Sequence, residues 1–307
     1  MIKTIPNGVY PTMLTPFTED NKIDYDNVLK LLQFYSEKGC AGVFAICQSS
    51  EIFCLSFEER LELLKFIMKN KPADLTVVAS GHTADDIDTQ IYEANAFIET
   101  GIDAYVFIAN RFAKQDESDD VFLANFEKAV KGLPEIGFGV YECPHPYKRL
   151  MNPETIKKCC EIGNLRFIKD TCCKIGEIEA KLKAAEGTGL KIYNANGATL
   201  LESLKAGCAG YSGVMANFHP ELYSWLCANY KTEPEKAEKL FNFLSMVSTI
   251  ELQQYPVNAK YHLQKLGFDV TTKCRVRDCG TFTESNKREI DAMYKTELFV
   301  KELMGIN

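Results

Sequence analysis

Residues 136–170 read IGFGVYECPHPYKRLMNPETIKKCCEIGNLRFIKD. The stretch opens on a short apolar run, Ile136–Tyr141, and closes on another, Leu165–Lys169. Between them Pro153–Ile162 carries a helical pattern. Two strand-length apolar runs joined by a helix describe a βαβ unit, whose strands run parallel. The same alternation extends outward in both directions. Strands are expected near Gly8–Leu14, Gly42–Ile46, Leu75–Ala79, Ala104–Ile108, Leu190–Tyr193 and Gly210–Val214. Helices are expected near Tyr25–Lys38, Phe57–Lys69, Asp85–Thr100, Asp119–Lys131, Ile175–Ala185, Ala198–Lys205 and Pro220–Asn229. Residues 24–32 place apolar side chains at i, i+3 and i+4 behind an acidic first turn, and Ser56 with Glu59 has the spacing of a capping box.

Eight strands, each followed by a helix, in about 225 residues predict an α/β fold of the (β/α)8 TIM-barrel type. A doubly wound sheet is the second option. It would want a glycine-rich turn after the first strand, and Pro11-Thr12-Met13-Leu14-Thr15-Pro16 supplies none. After about residue 230 the alternation stops. Helical patterns at Glu233–Glu251, Val257–Leu266 and Glu284–Leu303 follow, with a polar break at Thr271–Thr283. The expected organisation is a barrel over residues 1–230 and a C-terminal helical region over 231–307.

The chain of 307 residues is 46% hydrophobic and 25% charged, the mix of an ordinary globular protein. Its net charge of −7 argues against a nucleic-acid partner and against an anionic membrane surface. No charge-free apolar run approaches the roughly 18 residues of a membrane span. Residues 1–7 lack the apolar core of a signal peptide, so a cytoplasmic location is expected. The 12 cysteines, at 40, 47, 54, 143, 159, 160, 172, 173, 208, 227, 274 and 279, show no CxxC and no zinc spacing. They read as reduced, buried thiols. No His/Asp/Glu grouping has metal-ligand spacing either, so no metal is expected.

Active sites of such barrels sit at the C-terminal ends of the strands. Those ends carry Thr15, Gln48-Ser49-Ser50-Glu51, Ser80 to Thr83 with His82, Asn110-Arg111, Tyr141-Glu142, Lys169-Asp170, Asn194 to Asn196 and Ser212-Gly213. Lys169 shares a strand face with Phe167. On the lumen side its ammonium would be desolvated, and a free amine can attack a carbonyl. The plain alternative is a strand-ending surface lysine, or a partner for Asp170. Tyr141 ends the preceding strand, 169 − 141 = 28 residues earlier, one βα unit. Adjacent strands lie about 4.8 Å apart, so the phenol could shuttle protons for the amine; otherwise it is a core aromatic. Gln48-Ser49-Ser50-Glu51 opens a helix and offers hydroxyls and free N–H groups to a carboxylate, or is simply an N-cap. His82 and His145 fall in loops where they would contact substrate or solvent. Cys47 has no histidine placed to activate it and reads as inert.

Several segments together resemble the dihydrodipicolinate synthase and N-acetylneuraminate lyase family. They are Gly8 to Phe17, the turn Cys47 to Glu51, Tyr141-Glu142-Cys143-Pro144, Phe167-Ile168-Lys169-Asp170, and Gly210 to Asn217. Five motifs occur in family order over residues 8–220. The resemblance implies a barrel with a C-terminal helical region, usually a homotetramer. It also implies chemistry without metal or organic cofactor, and an imine between a lysine and a 2-oxo acid such as pyruvate, which then adds to or leaves an aldehyde. By resemblance Lys169 is the imine-forming residue, Tyr141 relays protons, and Ser49 holds the 2-oxo acid carboxylate. Ser50, Gln48, Ser212, Asn196, His82, Glu142, His145 and Asn110 are the further candidates for binding substrate.

The departures are specific. Gln48 stands where the synthases carry a relay threonine, Ala109 where they carry a second relay tyrosine, and Pro146 where they carry an arginine, with Lys148 and Arg149 close behind. Both turn glycines are replaced, by Cys47 and Ser50. The leading expectation is a class I aldolase or lyase. The alternatives are 4-hydroxy-tetrahydrodipicolinate synthase itself, an imine-dependent sugar-acid dehydratase, and a non-catalytic barrel that binds a small acid.

Overall fold

Eight parallel strands alternate with helices in the computed structural model, which describes residues 2–306; Met1 and Asn307 lie outside the described residues. The strands are β1 (Gly8–Val9), β2 (Gly42–Ala45), β3 (Thr76–Ala79), β4 (Ala104–Ile108), β5 (Gly137–Tyr141), β6 (Leu165–Asp170), β7 (Lys191–Asn194) and β8 (Gly210–Tyr211). Each pairs with its sequence neighbour from β2 through β8, and β8 pairs with β1. Three backbone bonds close the ring between β1 and β2: Ala41 N to Val9 O, Phe44 N to Pro11 O and Met13 N to Phe44 O. The architecture is a TIM barrel. The first strand is shorter than the sequence suggests because the proline at 11 has no N–H to give to a ladder. Likewise β8 stops at Tyr211, and Val214–Asn217 coil into a short 3-10 turn. A Cβ at Gly210 would lie 1.8 Å from the Gly8 carbonyl oxygen, so only glycine lets β8 approach β1 this closely.

The helices around the barrel are α1 (Tyr25–Glu37), α2 (Phe57–Asn70), α3 (Ile87–Ile98), α4 (Asp119–Gly132), α5 (Pro153–Ile162), α6 (Ile175–Ala184), α7 (Leu200–Ala206) and α8 (Pro220–Asn229). Asp24 caps α1, and the Ser56–Glu59 capping box opens α2 as its spacing suggests. Three further helices form the C-terminal region: α9 (Pro234–Val247), α10 (Val257–Lys265) and α11 (Glu284–Met304). Leu240, Leu244, Leu263 and Ile290 belong to the same buried cluster as the barrel residues, so the region shares one core with the barrel.

Aromatic side chains fill the lumen. Tyr10 lies edge-on to Phe167 and Tyr193, with centroids 5.7 and 5.0 Å away, and Phe167 stacks on Tyr193 at 4.5 Å. Phe44 packs edge-on against Phe167 and Tyr141. This plug makes the barrel a solid core and gives the next layer of side chains a dry floor. Among the described residues, no helix is long and apolar enough to cross a membrane. The cysteines are unpaired; those at 40, 47, 143, 159, 172 and 208 are buried, Cys173 is exposed, and the remaining five are intermediate, fewer than the sequence reading buried.

Candidate active site

Tyr141 and Lys169 are direct partners in the β5–β6 ladder. With a period of two, Phe167 in the lumen puts Lys169 there as well, one layer above the aromatic floor. Lys169 is 3% exposed. Its Nζ sits 4.3 Å from the Tyr141 ring centroid and 5.8 Å from that of Phe44. Among the described residues it has no ion pair and no hydrogen bond. Burial therefore holds its pKa below the ordinary lysine value, with Cys47, Cys143 and Glu251 pulling the other way. An amine in this setting becomes a nucleophile at lower pH than a solvated one.

The Tyr141 hydroxyl donates to Oε1 of Gln48 at 3.2 Å, and the Cys143 thiol donates to the same oxygen at 3.3 Å. Burial raises the phenol pKa well above its usual value. Gln48 and Ser49 form the start of a short 3-10 turn, Gln48–Ser50, whose first N–H groups have no partner within the helix. Lys169, Tyr141, Gln48, Ser49 and Asn196 all line one cavity of about 380 Å³ at the C-terminal mouth of the barrel. Asn196 uses its Oδ1 to cap Thr199 N, and its Nδ2 lies beside the Cys173 thiol on the cavity wall.

The other six candidates do not line this cavity. Ser50 donates to the Met13 carbonyl at 2.6 Å and Ser212 to the Tyr10 carbonyl at 3.0 Å, so both hydroxyls tie strand ends together. His82 is fully buried between strands: Nε2 accepts from Ile108 N at 3.1 Å, leaving the proton on Nδ1 to face the Tyr105 hydroxyl at 2.9 Å. Burial pushes its pKa down to about 3. Glu142 follows Tyr141 and so points away from the lumen. Its oxygens accept from Lys181 Nζ at 2.5 Å, Met151 N at 2.8 Å and Thr171 N at 2.8 Å. Asn110 donates to the carbonyls of Cys143, His145 and Tyr147 and pins the loop after β5. His145 is exposed and packs on Phe53. Of the two cations after Pro146, Lys148 reaches the cavity, whereas Arg149 turns away to Asp119 at 2.7 Å.

Glu51, Pro144, Gly213 and Val214 of the motif segments also line the cavity, and the rest of the far wall comes from segments that carried no motif. Glu251 and Leu252 end the 3-10 turn Ser248–Leu252 that continues α9; Tyr255 and Pro256 precede α10; Val276 and Arg277 lie in the loop before α11. That loop is held down by Glu51, whose Oε2 accepts from Val276 N at 2.9 Å while Oε1 pairs with Lys260 at 3.2 Å. Arg275 adds a two-pronged pair to Glu59, both contacts at 2.8 Å.

Residues 5–297 match the Dihydrodipicolinate synthetase family. The chain belongs to that family. A 4-hydroxy-tetrahydrodipicolinate synthase of Pseudoalteromonas atlantica is 24% identical over 265 residues, covering 85% of this chain and 88% of its own. One of Kosmotoga olearia is 24% identical over 295 residues, with 94% and 96% covered. Among solved structures, YagE of Escherichia coli K12, a prophage protein of the dihydrodipicolinic acid synthase family in complex with pyruvate, superposes with a TM-score of 0.85. It is 18% identical and covers 94% of this chain and 98% of its own. Dihydrodipicolinate synthase DapA-2 of Bacillus anthracis gives a TM-score of 0.85 at 20% identity, with 96% and 99% covered. The two superpositions establish the fold. Family membership makes the chain an enzyme of the class I lyase, or aldolase, type.

Proposed function

We propose that this member of the dihydrodipicolinate synthetase family makes or cleaves a carbon–carbon bond between a 2-oxo acid and an aldehyde through an imine on Lys169. The observation that carries the reading is a buried lysine without an ion-pair partner, at the mouth of a parallel barrel, beside a phenol on the neighbouring strand. The free amine of Lys169 attacks the keto carbon, and loss of water leaves a protonated imine. The adjacent carbon then loses a proton to solvent, and the freed C–H electron pair forms an enamine, which attacks the aldehyde; cleavage runs the same steps backwards. The Ser49 hydroxyl and the free N–H groups of its turn are placed to orient the 2-oxo acid carboxylate. Asn196 Nδ2 and the Lys148 and Arg277 cations at the mouth are placed for polar or acidic groups of the second substrate.

Pyruvate in heavy water tests the imine and enamine without knowledge of the aldehyde. Exchange of the methyl protons, followed by NMR, is expected with the wild-type enzyme and is lost in Lys169→Ala. Absence of exchange with every 2-oxo acid offered would overturn the reading. The same family reading carries a homotetramer and a cytoplasmic location; light scattering on the purified chain tests the first.

A further inference from the structure

The phenol of Tyr141 sits beside the Lys169 amine, but its relay stops at Gln48. Its proton is committed to the Gln48 amide oxygen, and an amide carbonyl accepts a hydrogen bond without passing a proton on at neutral pH. A carbon–carbon bond step still needs an acid for the aldehyde oxygen as it becomes a hydroxyl. Two carboxyl groups line the cavity, Glu51 and Glu251. Glu51 is consumed by Lys260 and by the N–H groups of Arg275 and Val276. Glu251 has no hydrogen bond and no ion pair among the described residues, and it shares the cavity wall with Lys169.

We propose that Glu251, carried over the barrel mouth by the C-terminal region, is the catalytic acid–base for the aldehyde oxygen, taking the place of the relay that ends at Gln48. The inference rests on the imine reading above. In condensation the enamine carbon attacks the aldehyde carbon, and the carbonyl π pair moves onto oxygen. The Glu251 carboxyl delivers its proton there, leaving a hydroxyl, a carboxylate at 251 and the imine cation on Lys169. Water then hydrolyses the imine, freeing the product ketone and the amine, and a proton returns to Glu251. In cleavage the carboxylate takes the hydroxyl proton, the carbon–carbon pair collapses into the imine, and the aldehyde leaves.

The surroundings suit the task. Burial pushes the Glu251 carboxyl up to about 7, while Lys169 draws it down, so both forms are populated at neutral pH. The other ionisable groups on the wall do not compete there. Tyr141 and Tyr255 are held well above ordinary phenols by burial, and the Cys173 thiol is raised by burial. Lys148 and Arg277 are cations at the mouth, and Glu51 is ion-paired. Condensation needs the acid form and should fall as pH rises through about 7; cleavage needs the carboxylate and should rise over the same interval.

The test is Glu251→Gln, assayed for exchange of pyruvate methyl protons and for turnover of pyruvate with glycolaldehyde, glyceraldehyde and erythrose. The expected result keeps exchange within a few-fold of wild type, lowers carbon–carbon turnover about 10²–10⁴-fold and removes the pH limb near 7. Glu251→Ala should behave alike and recover part of its turnover with added formate, which a purely structural role would not show. Unchanged turnover and pH profile in Glu251→Gln overturn the proposal and leave the imine reading intact. Loss of exchange together with turnover also overturns it, because the carboxyl would then act on the imine and not on the aldehyde oxygen. A wild-type enzyme that exchanges nothing overturns the imine reading, and this proposal with it.

Discussion

Two pairs of residues that point opposite ways stand at the ends of β5 and β6: Tyr141, the last residue of β5, with Glu142 just after it, and Lys169-Asp170, which close β6. Outside the sheet, Glu142 and Asp170 both accept from Lys181 of α6, each at 2.5 Å. Inside, one residue away, Lys169 has aromatic rings where Lys181 has carboxylates. Both lysines are 2–3% exposed. Burial is thus common to both, and partnership separates them. The paired cation keeps its proton, raised above the ordinary lysine value by its two carboxylates despite burial. The unpaired one is pushed towards the neutral amine. A buried charge with its partners complete belongs to the architecture; one left incomplete is available for chemistry.

Substitutions at the two sites should have opposite signatures. The largest effect is expected for Lys169→Ala, which should lower turnover at least about 10⁴-fold in a steady-state assay. It should not weaken the fold, and Lys169→Met should raise the unfolding free energy by roughly 1–3 kcal/mol, because it removes a largely buried amine that has no protein partner among the described residues. Tyr141→Phe keeps the ring under the amine and removes the hydroxyl; a loss of about 10²-fold or more in turnover is expected. Lys181→Met reverses the balance. It should cost about 3–5 kcal/mol in denaturant unfolding by stranding two buried carboxylates, with turnover of the folded fraction falling by about 10²-fold or less. Equal stability losses at 169 and 181 would erase the distinction drawn between them.

His82 offers the smallest and finest test. Its folded pKa of about 3 lies below the unfolded value of about 6.5, so the unfolded chain takes up a proton that the native state refuses. The stability it contributes is present above pH about 6.5 and is lost as pH falls towards 3, by about 1.4 kcal/mol per pH unit. His82→Gln should cost about 1–2 kcal/mol at neutral pH and show a shallower decline in acid, read from urea unfolding across that interval.

The barrel and the Lys169–Tyr141 pair were legible because both follow from periodicity. Apolar runs and helices alternate along the chain, the two residues end neighbouring strands, and Phe167 sets the face of Lys169. The same parity argues Glu142 out of the lumen. Loop residues carried no such constraint, so Asn110 and His82 could be placed near the mouth by sequence, and only the fold shows them bonded to carbonyls and to Tyr105. Glu251, Tyr255 and Arg277 were invisible for a different reason. They reach the cavity from irregular segments of the C-terminal region, anchored by Glu51, Lys260, Arg275 and Glu59 across more than 200 residues of chain. The one trace of this was the polar break at Thr271–Thr283, whose residues 275–277 fold back over the mouth.

Reductive trapping tests the distinction between the two lysines most directly. The enzyme is incubated with pyruvate and borohydride, digested, and its modified peptide mapped by mass spectrometry. A single adduct on Lys169, with Lys181 and Lys260 untouched, is the expected result. An adduct that survives Lys169→Ala, or one that maps to either of the carboxylate-bound lysines, would contradict the account.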